Sequence, residues 1–208
     1  VSRPRQARAI ATRAAIVQAT IRALADGGLS ATSTAAVARA AGVSQGALFG
    51  HFSTKAALLT AATEAILDEL FVAFAEALPG AAGAGDLLDQ GLAALWTVYQ
   101  DPRLAGLFEL FLAARHDPDL QAGLSPLLVA HADRELAMAR ALFPDAAHRD
   151  DFDAVVIGLL STLQGAAVAA GVLPGHAGHL ELRFITELVR RELGSPSLPQ
   201  GPHAETTP

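Results

Sequence analysis

The stretch Ser33-Thr34-Ala35-Ala36-Val37-Ala38-Arg39-Ala40-Ala41-Gly42-Val43-Ser44-Gln45-Gly46-Ala47-Leu48 decides how the chain folds. Thr32 and Ser33 are hydroxyl N-caps for a helix of about two turns through Ala41, with Val37, Ala40 and Ala41 facing inward. Gly42 breaks that helix. Ser44 caps a second short helix, Gln45 to Phe52, whose Leu48 and Phe52 share one buried face. Val43 plugs the angle between the two, and small Ala38 and Ala41 allow a close crossing. Helix, glycine turn and capped helix make a helix-turn-helix, whose second helix can bring its N-terminal residues to base edges. The same pattern fits an ordinary αα-corner.

Working outward, Ile10, Ala14, Val17, Ile21 and Leu24 recur at alternating four and three spacing as the apolar stripe of a first helix, stopped by Gly27-Gly28. Arg3, Arg5 and Arg8 precede or flank that stripe in a segment that Pro4 holds extended, a basic arm able to reach phosphates or a minor groove. On the other side, Ser53 or Thr54 opens a long helix with Leu58, Ala62, Ala65 or Ile66, Leu70, Phe74 and Leu78 at helical spacing, ended by Pro79-Gly80 and a loop to Gly85. Further helices are expected near 86–100, 103–115, 126–143, 151–171 and 177–193, the third opened by Ser125 as cap and Pro126 at the first position. Residues 194–208, rich in Pro, Ser and Thr, are expected to be a disordered tail. With no alternating strand pattern and no internal repeat, the expected fold is all-α: an N-terminal arm and three-helix unit over 1–53, joined by the long helix to a helical body over 54–193.

Composition agrees. At roughly 150 residues per domain, a chain of 208 residues is one large domain or two small ones. Hydrophobic residues are 51% but aromatics only 5%, and 46 alanines favour helical packing over a sandwich. The absence of Cys excludes disulfides, a thiolate zinc site and thiol catalysis, and a reducing, cytoplasmic setting is expected. Residues 1–55 carry seven basic side chains against one acidic, +6, and the remainder carries −12. A basic head of this size favours phosphate partners. Its arginines lack an adjoining apolar run, so it does not resemble a secretory signal. Ala154 to Leu173 is apolar apart from Ser161, Thr162 and Gln164 and long enough to span a bilayer. Without flanking basic clusters it is better explained as a helix buried in a subunit interface.

No nucleophile-elbow, phosphate-loop or dinucleotide motif is present, so no enzyme reading has support. His131 with Glu135, and His176 with His179, give two ligands each, too few for a metal site. No metal or other cofactor is expected. Trp96, Tyr99, Arg115, His131 and Gln164 place polar or aromatic groups inside apolar helices, which suits a pocket for an apolar small molecule between 86 and 171. A helix apolar all round needs a partner, so residues 151–171 and 177–193 are the expected homodimer interface. There Gly158, Gly165 and Ala169 allow close approach, and Leu160 and Leu188 fill the contact.

Finally, Ala41-Gly42-Val43-Ser44, Leu48-Phe49-Gly50-His51-Phe52 and Lys55-Ala56-Ala57-Leu58-Leu59 together resemble the signature of the tetracycline-repressor (TetR) family, over about residues 10–60. The resemblance implies a helix-turn-helix DNA-binding domain over 1–53 with a major-groove reader, a helical ligand-binding and dimerisation domain over 54–193 with the dimer built from the last two helices, a double-stranded DNA operator as partner, and a small-molecule effector that weakens DNA binding. Carried over by position, it implies DNA-facing roles for Thr32, Ser33, Ser44, Gln45, Gly46, Ala47, Phe49, His51 and Lys55. Two positions depart from the family: Phe49 replaces the usual Tyr, removing a phosphate-bonding hydroxyl, and Gly50 replaces a larger polar residue. They motivate an alternative, a helical regulatory or interaction protein with weak DNA reading.

Overall fold

The computed structural model describes residues 3–80, 87–173 and 179–194. Among these, all regular structure is helical: α1 (Arg3–Ala31), α2 (Thr34–Ala40), α3 (Gln45–His51), α4 (Lys55–Gly80), α5 (Leu87–Tyr99), α6 (Pro102–Ala114), α7 (Pro118–Leu142), a 3-10 turn at Ala146–His148, α8 (Phe152–Ala170) and α9 (His179–Glu192). The expected loop at 79–85 and tail at 194–208 lie almost wholly outside the described residues.

The chain forms two compact units, Val1–Val72 with Gln100–Ala130, and Ala73–Tyr99 with His131–Pro208. The division therefore falls within α4, at 72/73, rather than at the expected 53/54, and α6 and the first half of α7 group with α1, α2, α3 and α4 through Val72. Its core holds Ile16, Leu24, Leu48, Leu58, Ile66, Leu107, Leu110, Leu120 and Leu124, each under 2% exposed or nearly so. The first-helix stripe begins later than the spacing suggests: Ile10 is 64% exposed, whereas Ile16 and Val17 are buried. Nor is the segment before it extended, since α1 begins at Arg3 and runs through Pro4, a residue tolerated in a first helical turn.

Two close approaches fix α6 on α1. A Cβ at Gly106 would stand 2.8 Å from the Leu24 carbonyl oxygen, so only glycine lets the helices cross there. At the end of α1, Gly28 takes φ 66 and ψ −164, a conformation essentially restricted to glycine. The Leu29 N–H freed by this kink donates to Glu109 Oε2 of α6 at 2.7 Å. The glycine stop expected at Gly27-Gly28 is thus a kink, after which one further turn leads to Ala31. Arg103 adds a surface link, pairing with Glu69 of α4 at 2.7 Å and with Asp101, the N-cap of α6, at 2.8 Å.

α7 corrects the expected helix at 126–143. It is capped by Asp117, whose Oδ1 accepts from the Leu120 N–H at 3.0 Å, with Pro118 as its first residue, and it passes through Pro126. Asp117-Pro118 and Ser125-Pro126 are equally good starts locally. The earlier one prevails because Leu120 and Leu124, one turn apart, are both buried at 2% while Pro126 is exposed.

The second unit packs α5, α8 and α9 around Leu88, Trp96, Phe152, Val156, Leu163, Ile185 and Val189. Ion pairs rim it: Arg190 with Asp89 at 2.9 Å, and Arg149 with Asp151 at 2.9 Å and Glu192 at 3.2 Å. α8 is the one described helix long and apolar enough to cross a membrane, and it packs instead in this core along one face.

Gly28→Ala is expected to destabilise the protein by about 1–3 kcal/mol, from backbone strain alone. Its Cβ would also lie 2.4 Å from the Glu109 carboxylate. Glu109→Ala in the same chain should recover part of that loss, and urea unfolding of the four members of the cycle measures both terms.

Candidate nucleic-acid interface and apolar cavity

The helix pair at residues 33–52 owes its shape to local hydrogen bonds. Ser33 Oγ accepts from the Ala36 N–H at 3.2 Å and Ser44 Oγ from the Ala47 N–H at 3.1 Å, so each short helix has its own cap. Between them Gly42 takes φ 70. Its N–H donates to the Arg39 carbonyl at 3.2 Å and the Val43 N–H to the Ala38 carbonyl at 3.0 Å, a Schellman closure that turns the chain in two residues. α2 is held inward by Val37 and Ala38, rather than by Ala40, which is exposed. α3 is held by Leu48, with no accessible surface, followed by Phe52 at 3%.

This leaves the outer face of α3 to solvent. Ser33, Ser44, Gln45, Gly46, Ala47, Phe49 and Lys55 are exposed, and His51 is half-buried. Thr32 departs from its expected DNA-facing role: it is 1% exposed and its hydroxyl donates to the Gly28 carbonyl at 2.8 Å, closing the α1 kink. Arg8 is exposed on α1, while Arg3 and Arg5 occupy its first turn with side chains outside the description. Arg13 and Arg39, which the sequence reading passed over, also face solvent, and the Arg13 guanidinium lies 4.9 Å from the Phe52 ring centroid. Their signal was present in the basic excess of the first 55 residues.

The glycines of α3 stand out. A Cβ at Gly50 meets no atom within 4 Å, and one at Gly46 meets only Ser44 Oγ at 3.9 Å. Packing within the chain therefore requires neither, although each costs about 0.5–1 kcal/mol relative to Ala in a helix.

A cavity of about 120 Å³ lies in the second unit, between Phe74 and Leu78 of α4, Leu88, Gly91, Leu92 and Leu95 of α5, Met138, Ala139 and Leu142 of α7 with Phe143 directly after it, Val156, Leu159, Leu160 and Leu163 of α8, and Val189 and Leu193 at the end of α9. None of Trp96, Tyr99, Arg115, His131 and Gln164 lines it. Trp96 is a core residue at 7% exposure, and Arg115 is an exposed C-cap of α6 in the other unit. Gln164 is half-buried on α8. Tyr99, Glu135 and His131 do come together, with His131 Nε2 3.4 Å from Glu135 Oε1, and burial with the Glu135 charge pushes the Tyr99 phenol well up. Leu160, expected at the dimer interface, is half-buried at the cavity wall. Gly158 and Gly165 lie on the exposed face of α8, where an added Cβ meets nothing within 4 Å. Ala169 and Leu188 are half-buried. No cluster of three metal-ligating side chains occurs among the described residues.

Two capped helices turned on a glycine, with the second one's outer face in solvent, define a helix-turn-helix DNA-binding protein. The sequence model of the bacterial regulatory proteins of the tetR family matches residues 16–62. An uncharacterized HTH-type transcriptional regulator of Mycobacterium tuberculosis is 30% identical over 179 residues, which are 84% of this chain and 90% of the relative. Among solved structures, the multidrug binding protein EbrR complexed with imidazole aligns with TM-score 0.63 at 23% identity, covering 89% of this chain and 96% of EbrR. A TetR transcription regulator from Haloarcula marismortui aligns with TM-score 0.63 at 21% identity, covering 89% and 98%. The chain belongs to the TetR family of transcriptional regulators, which are DNA-binding transcription factors and not enzymes.

Tyr99 is the chain's single tyrosine. Absorbance at the tyrosinate band is expected to rise only well above its ordinary pKa of 10.0 while the protein stays folded, and at the ordinary value once it is unfolded. Gly50→Ala is expected to raise thermal stability by the equivalent of about 0.5–1 kcal/mol, measured by calorimetry, because the added methyl meets open space.

Proposed function

We propose that the chain is a homodimeric, cytoplasmic repressor that leaves its operator when an apolar small molecule binds. The observation that carries the DNA half is the solvent-facing amino end of α3, where Gln45 stands free of the core, with Ser33, Ser44 and Lys55 also exposed. Gln pairs bidentately with adenine in the major groove, while hydroxyls and lysine hold phosphates. Gly46, Ala47 and Gly50 add shape: a helix face without side chains brings the backbone close to the groove, which supports a role for glycines that packing does not require. Phe49, 47% exposed, supplies an apolar contact in this reading. Arg3, Arg5 and Arg8 add phosphate contacts from the first turns of α1.

Dimerisation through α8 and α9 is supported by the outward face of α8, where Ile157, Gly158, Gly165 and Val168 are exposed, and by Phe184 of α9 at 61% exposure. Ala169 and Leu188 border that face in this reading. Release is assigned to the apolar cavity. α4 runs unbroken from Lys55 to Gly80, so a ligand that displaces Phe74 or Leu78 acts on the helix that begins at Lys55.

The test is binding to the duplex upstream of the protein's own gene, titrated with salt. The expected result is tight binding whose log K against log salt flattens by about 0.9 for each phosphate contact removed when Arg3, Arg5 and Arg8 are replaced by Ala. Equal, weak binding to any duplex would instead favour the alternative, a regulatory protein that reads DNA poorly. Replacing both Gly158 and Gly165 by Glu is expected to shift sedimentation from dimer to monomer.

A further inference from the structure

We infer that the effector cavity takes a compact, uncharged hydrocarbon ring of about six to eight carbons, the size class of benzene or toluene, and excludes cations of the same shape. This rests on the effector reading above and narrows it to a ligand class. Size comes first. The cavity measures about 120 Å³. Pockets for drug-sized ligands span about 300–1,000 Å³, whereas a cavity of about 150 Å³ walled by Leu, Ile and Phe holds benzene. Chemistry comes second. The wall is made of Leu, Phe, Val, Met, Ala and Gly side chains, with no side-chain nitrogen or oxygen among the lining residues. A water needs two to four polar partners to settle in such a space and these side chains offer none, so a nonpolar ring displaces nothing that was well bonded to them.

An ammonium group, by contrast, loses its hydration and meets no carboxylate, a penalty the Coulomb attraction of a partner would otherwise offset. The polar side chains that a sequence reading assigns to a pocket lie elsewhere: Tyr99 and His131 gather at Glu135, and Arg115 belongs to the other unit. One wall position sets the limit of the space. A Cβ at Gly91 would stand 3.7 Å from Leu78 Cδ2, ordinary contact, so a larger side chain there enters the cavity without first colliding with the backbone. Met138, also in the wall, has a flexible side chain that can follow the outline of a ring.

The experiment uses the full-length protein with toluene and benzylammonium as probes, read by calorimetric melting and by methyl NMR of the Leu and Met138 signals. Toluene is expected to raise the melting temperature saturably and to shift Met138, and benzylammonium to do so at least about tenfold more weakly in apparent affinity. Gly91→Leu is expected to abolish the toluene response. If that variant loses its helical circular dichroism, Leu160→Phe narrows the same space from α8. A benzylammonium response equal to that of toluene, no response to either, or an undiminished toluene response in a folded filled variant overturns the inference. Toluene binding that leaves DNA affinity unchanged upholds this ligand class and removes the release mechanism instead.

Discussion

Glycine at 106 is the constraint from which the DNA-binding unit is built. Because a side chain there would strike the Leu24 backbone, α6 can lie this close to α1 only with glycine at this position. The Gly28 kink then aims the Leu29 N–H at Glu109, so the crossing is fixed at a second point by a hydrogen bond of 2.7 Å. α2 and α3 pack on the same α1. The platform is thus fixed to α6 at two points, and past the kink in α1 the Gly28 carbonyl takes the hydroxyl of the buried Thr32, the residue leading into α2.

On that platform the reader itself is small. Its two helices have seven residues each, too short to be stable alone, and depend on Ser caps, the Gly42 closure and a few buried side chains led by Val37 and Leu48. Economy of packing has a consequence for recognition. Nearly every other α3 side chain is free to face a partner, and two of those positions carry no side chain at all. Recognition by such a face leans on backbone proximity, one amide and surrounding charge, which is consistent with the basic excess of the first 55 residues.

The second unit follows a different logic. Its ionic groups stand at the rim, Arg149 against Asp151 and Glu192, Arg190 against Asp89, and Arg140 against Asp153 at 2.7 Å to one oxygen. Around the cavity its interior is hydrocarbon, and the cavity is a gap in that hydrocarbon rather than a lined receptor for polar groups. Removing carbon from such an interior costs stability in proportion to the void left behind. A cavity kept there weakens the unbound protein and leaves room for a ligand to restore the lost contacts.

The all-α fold, the helix pair, its caps and its glycine turn were legible in the amino-acid sequence because each is set by residues within one or two turns. Hydroxyl caps, a positive-φ glycine and apolar spacing act locally, and Leu48 with Phe52 proved buried as their spacing requires. What tertiary structure alone decided is which of several locally acceptable arrangements burial selects. Pro126 looks like a helix start until Leu120 and Leu124 are seen to share a buried face before it. Thr32 looks like a surface cap until the Gly28 carbonyl claims its hydroxyl. Leu160 and the polar residues of the body could not be assigned from periodicity, which marks a face as apolar but not which neighbour covers it. The cavity is the extreme case, since its walls come from five helices and a void has no residue of its own to leave a trace in the chain.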